Sequence, residues 1–395
     1  MDAAHRTSFC LRIAIAILLA AGACRPRLAA QPDETELYRY ADVPVHDSRF
    51  GPIAHLQAAI NGRLRLLGAD TIAVDGIFGS ATVHGLGTVA ERFGLHAVLA
   101  RDSMGTAACC ITAGLWRALL GDAPPGVHER AFALTLTYEG TDYDRAEWNV
   151  GTADSASVLT WGPYGATVGY GSEVQGILRL VHREEGAILP AAFGAEFPLI
   201  DSLMRAKGGE GSELLRSAWQ DTARRAAIRA AFEKLGGNAE VRSRYDRYAF
   251  GEGEWLRPAM RRLYSLIPDA ATRATEVDYA FFLDLAVHMS ITNARIAACR
   301  DAIAAFSRAH RRDPRPEERR RIVATAMRPG RQRDDRLGRS VAYYIDAIGE
   351  RDLTHEELAA WKHRSRLRAS QFGLRDTFTF LPAWCNPTAD NATGE

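Results

Sequence analysis

From about residue 127 to Trp384 apolar side chains recur at helical spacing, and one stretch alone interrupts them. That stretch, about 151–171, is rich in Thr, Val, Tyr and Gly and reads as short strands and turns. The pattern specifies a mainly α domain with a short β-hairpin set among its helices. Helices are expected at about 172–184, 196–206, 211–235, 239–248, 254–265, 276–290, 292–310, 315–327, 336–349 and 354–370. No repeat of fixed period runs through them.

A smaller unit, 51–105, precedes this domain. Ile53, Leu56, Gln57 and Ile60 share one helical face, and Asn61-Gly62 is expected to end that helix. A second helix runs through Val83, Leu86, Val89, Ala90 and Phe93 and stops at Gly94. Between them lies Asp75-Gly76-Ile77-Phe78-Gly79-Ser80-Ala81-Thr82. Here Gly76 and Gly79 permit tight turns, Asp75 accepts hydrogen bonds from the turn it opens, and Phe78 plugs the core. Ser80 or Thr82 is expected to cap the second helix. Gly85 and Gly87 should weaken that helix by roughly 1 kcal/mol each relative to alanine. Residues 31–50 read as a polar linker, 106–126 as a second linker broken at Ala123-Pro124-Pro125-Gly126, and 386–395 as a tail. The domain proper is then 127–385. Two domains suit a chain of 395 residues.

The first 30 residues read as a signal peptide. His5, Arg6 and Arg12 give a basic start, and the apolar run Ile13–Ala21 is too short to span a bilayer. Ala21-Gly22-Ala23-Cys24 resembles a lipoprotein processing site, which would anchor a lipid at Cys24; the other exit is cleavage after Ala30. Both lead out of the cytoplasm: to the periplasm or the outer membrane as a lipoprotein, or to secretion. Export and a formal net charge of +1 argue against nucleic acid as a partner. Beyond the leader stand Cys109, Cys110, Cys299 and Cys385. Cys299 and Cys385 are a candidate bridge, and the alternative is four free, buried thiols. With no CxxC or HExxH, no metal or other cofactor is expected.

The candidate chemistry starts at Glu139. His128 to Tyr138 reads as a helix closed by Glu139-Gly140, where Gly supplies a left-handed cap. The negative end of the helix dipole and apolar neighbours should both raise the pKa of Glu139, as a general acid needs. Asp154 follows on the expected hairpin, with Thr160 six residues on in Thr160-Trp161-Gly162. Two carboxyl groups about 6.5–9.5 Å apart with water between them serve an inverting glycosidase. Asp142 and Asp144 are rivals for the second carboxylate.

Two resemblances attach to these residues. Leu56-Gln57, the Asp-Gly-x-Phe-Gly-x-x-Thr core and Phe93-Gly94-Leu95 resemble a three-helix peptidoglycan-binding module, with Asp75, Gly76, Phe78 and Gly79 as its marks. Glu139, Asp154, Thr160 and Gly162 resemble the lysozyme superfamily, especially phage-type lysozymes and inverting chitosanases. That resemblance implies an α+β lysozyme-like domain. It makes Glu139 the acid, Asp154 the base that activates water, and Thr160 its positioner. Trp161, Gly162, Tyr164, Tyr170 and Glu173 become candidate sugar contacts, and Trp148 and Trp161 the candidate cleft tryptophans. Chitosanase-like folds place a buried Asp and Arg behind the acid, a pair that Asp284 and Arg295 resemble. The implied activity is hydrolysis of β-1,4 bonds in peptidoglycan. The alternatives are a chitosanase-like hydrolase of glucosamine polymers and a non-catalytic wall-binding protein. The arginine-dense segment from Arg308 to Arg339 reads as a solvated, ion-paired face, or else as a basic docking surface.

Overall fold

The structure, a computed structural model, describes residues 35–41, 43–95, 110–152, 156–207, 209–253, 255–328 and 333–385. The signal peptide with Cys24, the tail at 386–395, Cys109 and Asp154 lie outside the described residues.

The chain is mainly helical, with three small antiparallel sheets among the described residues. Its N-terminal part comprises β1 (Glu36–Arg39), β2 (Val45–His46), α1 (Pro52–Leu66), β3 (Ile77–Phe78), α2 (Ser80–Arg92), β4 (Cys110–Thr112) and α3 (Ala113–Leu120). Strand β1 pairs with β4 and β2 with β3. The described residues of the segments 31–50 and 110–126 thus carry strands and a helix. Leu37, Tyr38 and Val45 are buried, and so are Ile111, Leu115 and Trp116. Sequence periodicity misses these strands because each is four residues or fewer and its partner is distant.

Helix α1 runs through Asn61-Gly62 and ends four residues later. The side chain of Asn61 is buried and used elsewhere: Nδ2 donates to the Ile72 carbonyl and Oδ1 accepts from the Ile72 amide, both at 2.8 Å. The expected caps of α2 are also absent, since its N-cap is Gly79 with no side-chain bond. Thr82 instead donates to the Ile77 carbonyl at 2.9 Å. Gly85 meets a packing need, because a Cβ there would stand 3.2 Å from Ile72 and 3.3 Å from Ile60.

The larger part opens with α4 (Val127–Glu139), then β5 (Ala146–Trp148), β6 (Leu159–Trp161) and β7 (Ala166–Val168). The expected hairpin is thus a three-stranded sheet in the order β5-β6-β7. Helices follow: α5 (Glu173–Glu184), α6 (Ile188–Phe193), α7 (Phe197–Arg205), α8 (Glu210–Gln220), α9 (Thr222–Gly236) and α10 (Ala239–Arg247). The single helix expected at 211–235 is split because Asp221 accepts from the Ala223 and Arg224 amides and starts a new helix. Then come α11 (Leu256–Tyr264), α12 (Ala270–Arg273), α13 (Glu276–His288), α14 (Asn293–His310), α15 (Pro316–Met327), α16 (Arg333–Val341), α17 (Ile345–Ile348) and α18 (His355–His363). Among the described residues no single helix is long and apolar enough to cross a membrane.

Helix α13 is the centre of this part. Every residue from Glu276 to Ala286 is buried, as expected of a helix apolar on all sides. Thr275 and Asp278 close a capping box at its start. It packs against α4 and α11, which carries Asp284 and His288 to the C-terminal end of α4. Cys299 on α14 is a free, buried thiol, and burial pushes its pKa up to about 11. The arginine-dense segment is largely ion-paired: Arg312 and Arg315 with Glu318, Arg321 with Glu357, Arg328 with Glu356. Arg320 is buried between Asp278 (2.9 Å) and Asp376 (2.6 Å).

Candidate active site

Glu139 is the last residue of α4, and Gly140 follows at φ +64°, as the left-handed cap requires. The surroundings of its carboxylate differ from the sequence expectation. Arg339 Nη1 of α16 lies 2.6 Å from Glu139 Oε1, and His288 Nδ1 lies 3.4 Å from the same atom. Burial raises the pKa of Glu139, but Arg339 and then His288 outweigh it and hold the carboxyl at about 2. Glu139 in the unliganded protein is an ionised carboxylate and not a protonated acid. The helix dipole supplies only about 0.3–1 kcal/mol, too little to oppose a guanidinium in direct contact.

Arg339 is itself buried and bridges two carboxylates. Its Nη2 donates to Asp284 Oδ1 at 2.5 Å and its Nε to Asp284 Oδ2 at 3.3 Å. The Tyr138 ring lies 5.0 Å from the guanidinium carbon. A buried Asp–Arg pair behind Glu139 is therefore present, but the arginine is Arg339. Arg295 does not pair with Asp284; its Nη1 donates to the Ser290 carbonyl. His288 has a second neighbour, Asp335 Oδ2, 3.4 Å from Nε2. Arg339 Nη1 also lies 3.0 Å from His288 Nδ1. No local sequence signal marks Arg339 or Asp335, two hundred residues beyond Glu139 and within an arginine-rich run.

The rivals Asp142 and Asp144 are taken up by the N-terminal segment. Asp142 accepts from the Ser48 hydroxyl at 2.8 Å and the Arg49 amide at 2.9 Å, and Asp144 pairs with Arg49. On the sheet, Thr160 stands opposite Glu147 in register, and its Oγ1 accepts from Asn149 Nδ2 at 2.8 Å. The side chain against Thr160 is thus an amide, and Asp154 cannot be placed beside it because it is outside the described residues.

A groove of about 990 Å³ reaches this site through His288, and Glu139 itself is not on its lining. One wall carries Tyr164, Gly165, Thr167, Tyr170 and Glu173; the other carries His288 and the end of α13. Tyr170 is 72% exposed, as a sugar-stacking ring needs to be. Tyr164 is buried, and its hydroxyl has no hydrogen-bond partner among the described residues. Glu173 accepts from the Thr167 amide (3.2 Å) and hydroxyl (2.9 Å), bracing the turn into α5. Trp161 is not a cleft residue: it is 1% exposed, packs on Phe232 and Tyr245, and donates its indole proton to the Tyr143 carbonyl. Gly162, at φ +74°, is required because a Cβ would strike the Tyr245 ring at 2.7 Å. Trp148 is half-buried, and the tryptophan that borders the groove is Trp255, which no motif marked.

In the N-terminal part the Asp75 turn forms as its residues require. Gly76 has φ +76° and Phe78 is fully buried. Asp75 Oδ1 accepts from the Ile77 amide, and Gln57 accepts from the Asp75 and Gly76 amides. Asp75 and Gly79 border a smaller groove of about 240 Å³ with Tyr40 and Ser80. Comparison with protein-family models, with curated proteins and with solved structures returned no match for this chain.

Proposed function

We propose that this chain is an exported glycoside hydrolase that cleaves β-1,4 bonds of peptidoglycan glycan, with Glu139 moving the proton at the glycosidic oxygen. The observation that carries the reading is the placement of Glu139. Its side chain is 25% exposed, it touches Arg339 and His288, and His288 lines an open groove of about 990 Å³. Sugar bound beside the carboxylate displaces water from it, and that desolvation works against the Arg339 guanidinium to restore a protonatable group. Protonated Glu139 gives its proton to the leaving oxygen as the C–O bond breaks, and Arg339 stabilises the carboxylate that results. In the single-displacement route Asp154 takes the proton of the attacking water, which leaves the product inverted at the anomeric carbon. Residues 51–95 would add a second hold on the wall, and a lipid at Cys24 would fix the protein to a membrane.

Glu139→Gln is the test. The expected result is loss of reducing-end release from purified sacculi, by 100-fold or more, with the fold retained by circular dichroism. Lysis equal to that of the parent chain would end the assignment, and the anomer released by the parent chain tests the inverting route. The glucosamine polymer of the chitosanase alternative shares the bond chemistry and differs in the sign of its charge. A second reading, a wall-binding protein that does not cut, is favoured by the ionised state of Glu139 with the Arg339 guanidinium in place. Sacculus binding by the parent chain without new reducing ends would establish it.

A further inference from the structure

The groove lined by His288, the neighbour of Glu139, is charged unevenly. Beyond His288 it is lined by Arg262, Arg295 and Arg336, whereas the acidic side chain on its lining is Glu173 at the hairpin end. Arg262 Nη1 donates to the Ile291 carbonyl at 2.8 Å and Arg295 Nη1 to the Ser290 carbonyl at 2.5 Å. Each guanidinium is thus fixed through one nitrogen to the short segment between α13 and α14. Neither has a carboxylate at salt-bridge distance among the described residues, unlike Arg312, Arg321 or Arg328. Arg336 is close enough to Arg295 for like-charge repulsion to add to burial in lowering its pKa. The N-terminus of α14, with Thr292 and Asn293 on the lining, adds a field of the same sign.

A cationic groove end is costly to assemble unless an anion occupies it, because like charges raise one another's energy in a partly dry site. We infer that the Arg262, Arg295 and Arg336 end of the groove is a subsite for carboxylate groups carried on branches of the glycan. This rests on the hydrolase reading and deepens it. The polymer is anionic, with acidic branches at sugar spacing, and a glucosamine polymer carrying free ammonium groups is repelled from the same place. Arg295 and Arg336 then determine specificity, and they hold the branch while the bond is presented to Glu139. Guanidinium groups suit this task because they meet a carboxylate through two parallel hydrogen bonds.

The test is a binding measurement by calorimetry on the full chain carrying Glu139→Gln. The probes are three soluble oligosaccharides of equal length. The first is a wall-derived fragment with its lactyl and peptide carboxylates free, the second is the same fragment with those groups amidated, and the third is partly deacetylated chitin. The free-carboxylate fragment should bind about tenfold more tightly than the amidated one, as expected for a charge-assisted contact. It should lose that advantage as salt rises, and deacetylated chitin should bind most weakly. Arg295→Gln and Arg336→Gln should bring the ratio of free to amidated fragment close to one, and Arg295→Lys should recover part of it. Equal binding of the two fragments by the unsubstituted groove would overturn the subsite, whether or not the parent chain cuts sacculi. A tenfold preference in a chain that releases no reducing ends would sustain the subsite and remove the hydrolase reading.

Discussion

At Glu139 three influences compete, and their sizes decide the outcome. Burial is the largest single effect and favours the neutral acid, but Arg339 and His288 together exceed it and leave the carboxyl at about 2 against an ordinary 4.5. That displacement corresponds to roughly 3 kcal/mol of folding stability. Because the folded pKa is depressed, the contribution is complete above about pH 4.5 and disappears as pH falls to about 2. Glu139→Gln should therefore be less stable than the parent chain by roughly 3 kcal/mol at neutral pH, with the two converging near pH 2. Urea unfolding across this range measures it, and a gap that does not close at low pH would show that the ion pair is not its source. Activity has the opposite sign, because the proton-bearing form acts. The hydrolase reading predicts kcat/KM rising as pH falls below 7. Arg339→Lys, which cannot span Glu139 and Asp284 together, should move the profile to higher pH. The helix end and its glycine were legible in the sequence, since both are local. The partner that sets the charge state was not, because it arrives from α16, a helix held by α15 and α18, whose Arg339 side chain reaches across to Glu139 and Asp284. Arg295 was the nearer choice in sequence but is spent on a carbonyl at the end of α13.

Among the elements, α1 and the sheet show where periodicity informs and where it misleads. The apolar face Ile53, Leu56, Ile60 was readable because it repeats within one helix, and all three side chains are buried. Asn61-Gly62 resembled a stop because those residue types usually end helices, but the Asn61 amide is matched to the Ile72 backbone and the helix continues. Two substitutions separate these accounts. Gly62 is exposed, has helical neighbours on both sides, and a Cβ there would meet nothing within 4 Å. Gly62→Ala should thus stabilise by about 0.5–1 kcal/mol. If the helix ended there, the same change would destabilise. Asn61→Ala should cost roughly 2–3 kcal/mol, since two backbone groups of Ile72 lose their partner in a part-buried site. Thermal unfolding of both variants is sufficient. The strand β5 was missed for a different reason: Ala146-Glu147-Trp148 is only three residues long, too short for its alternation to register, and pairing with β6 fixes it.

For the molecule as a whole, resemblance to a small wall-binding module suggests an appendage that folds by itself, and the contacts argue otherwise. Strand β1 pairs with β4 and also packs on the single-turn helix Ala369–Phe372 near the other end of the chain. His46 is bonded to Thr137 of α4 in both directions, and Ser48 and Arg49 are held by Asp142 of the turn that follows Glu139. Buried Arg130 on α4 donates to the Phe372 and Gly373 carbonyls and pairs with Glu276 at 3.3 Å. The N-terminal part is thus attached to the helix that carries Glu139. Gly373 is the position at which this attachment can be probed. It has φ +60°, and a Cβ would come within 2.2 Å of the Glu36 carbonyl oxygen. Gly373→Ala combines an unfavourable backbone conformation with a clash against β1 and should cost about 2 kcal/mol or more. If the two parts form one cooperative body, calorimetry should show a single transition that moves down as a whole in this variant. An autonomous module would instead give a separate transition for residues 51–95 that Gly373→Ala leaves in place. Hydrogen exchange at the buried Leu56 and Phe78 amides distinguishes the outcomes directly. In the cooperative case their protection falls along with that of α13, although neither residue is near the substitution in sequence.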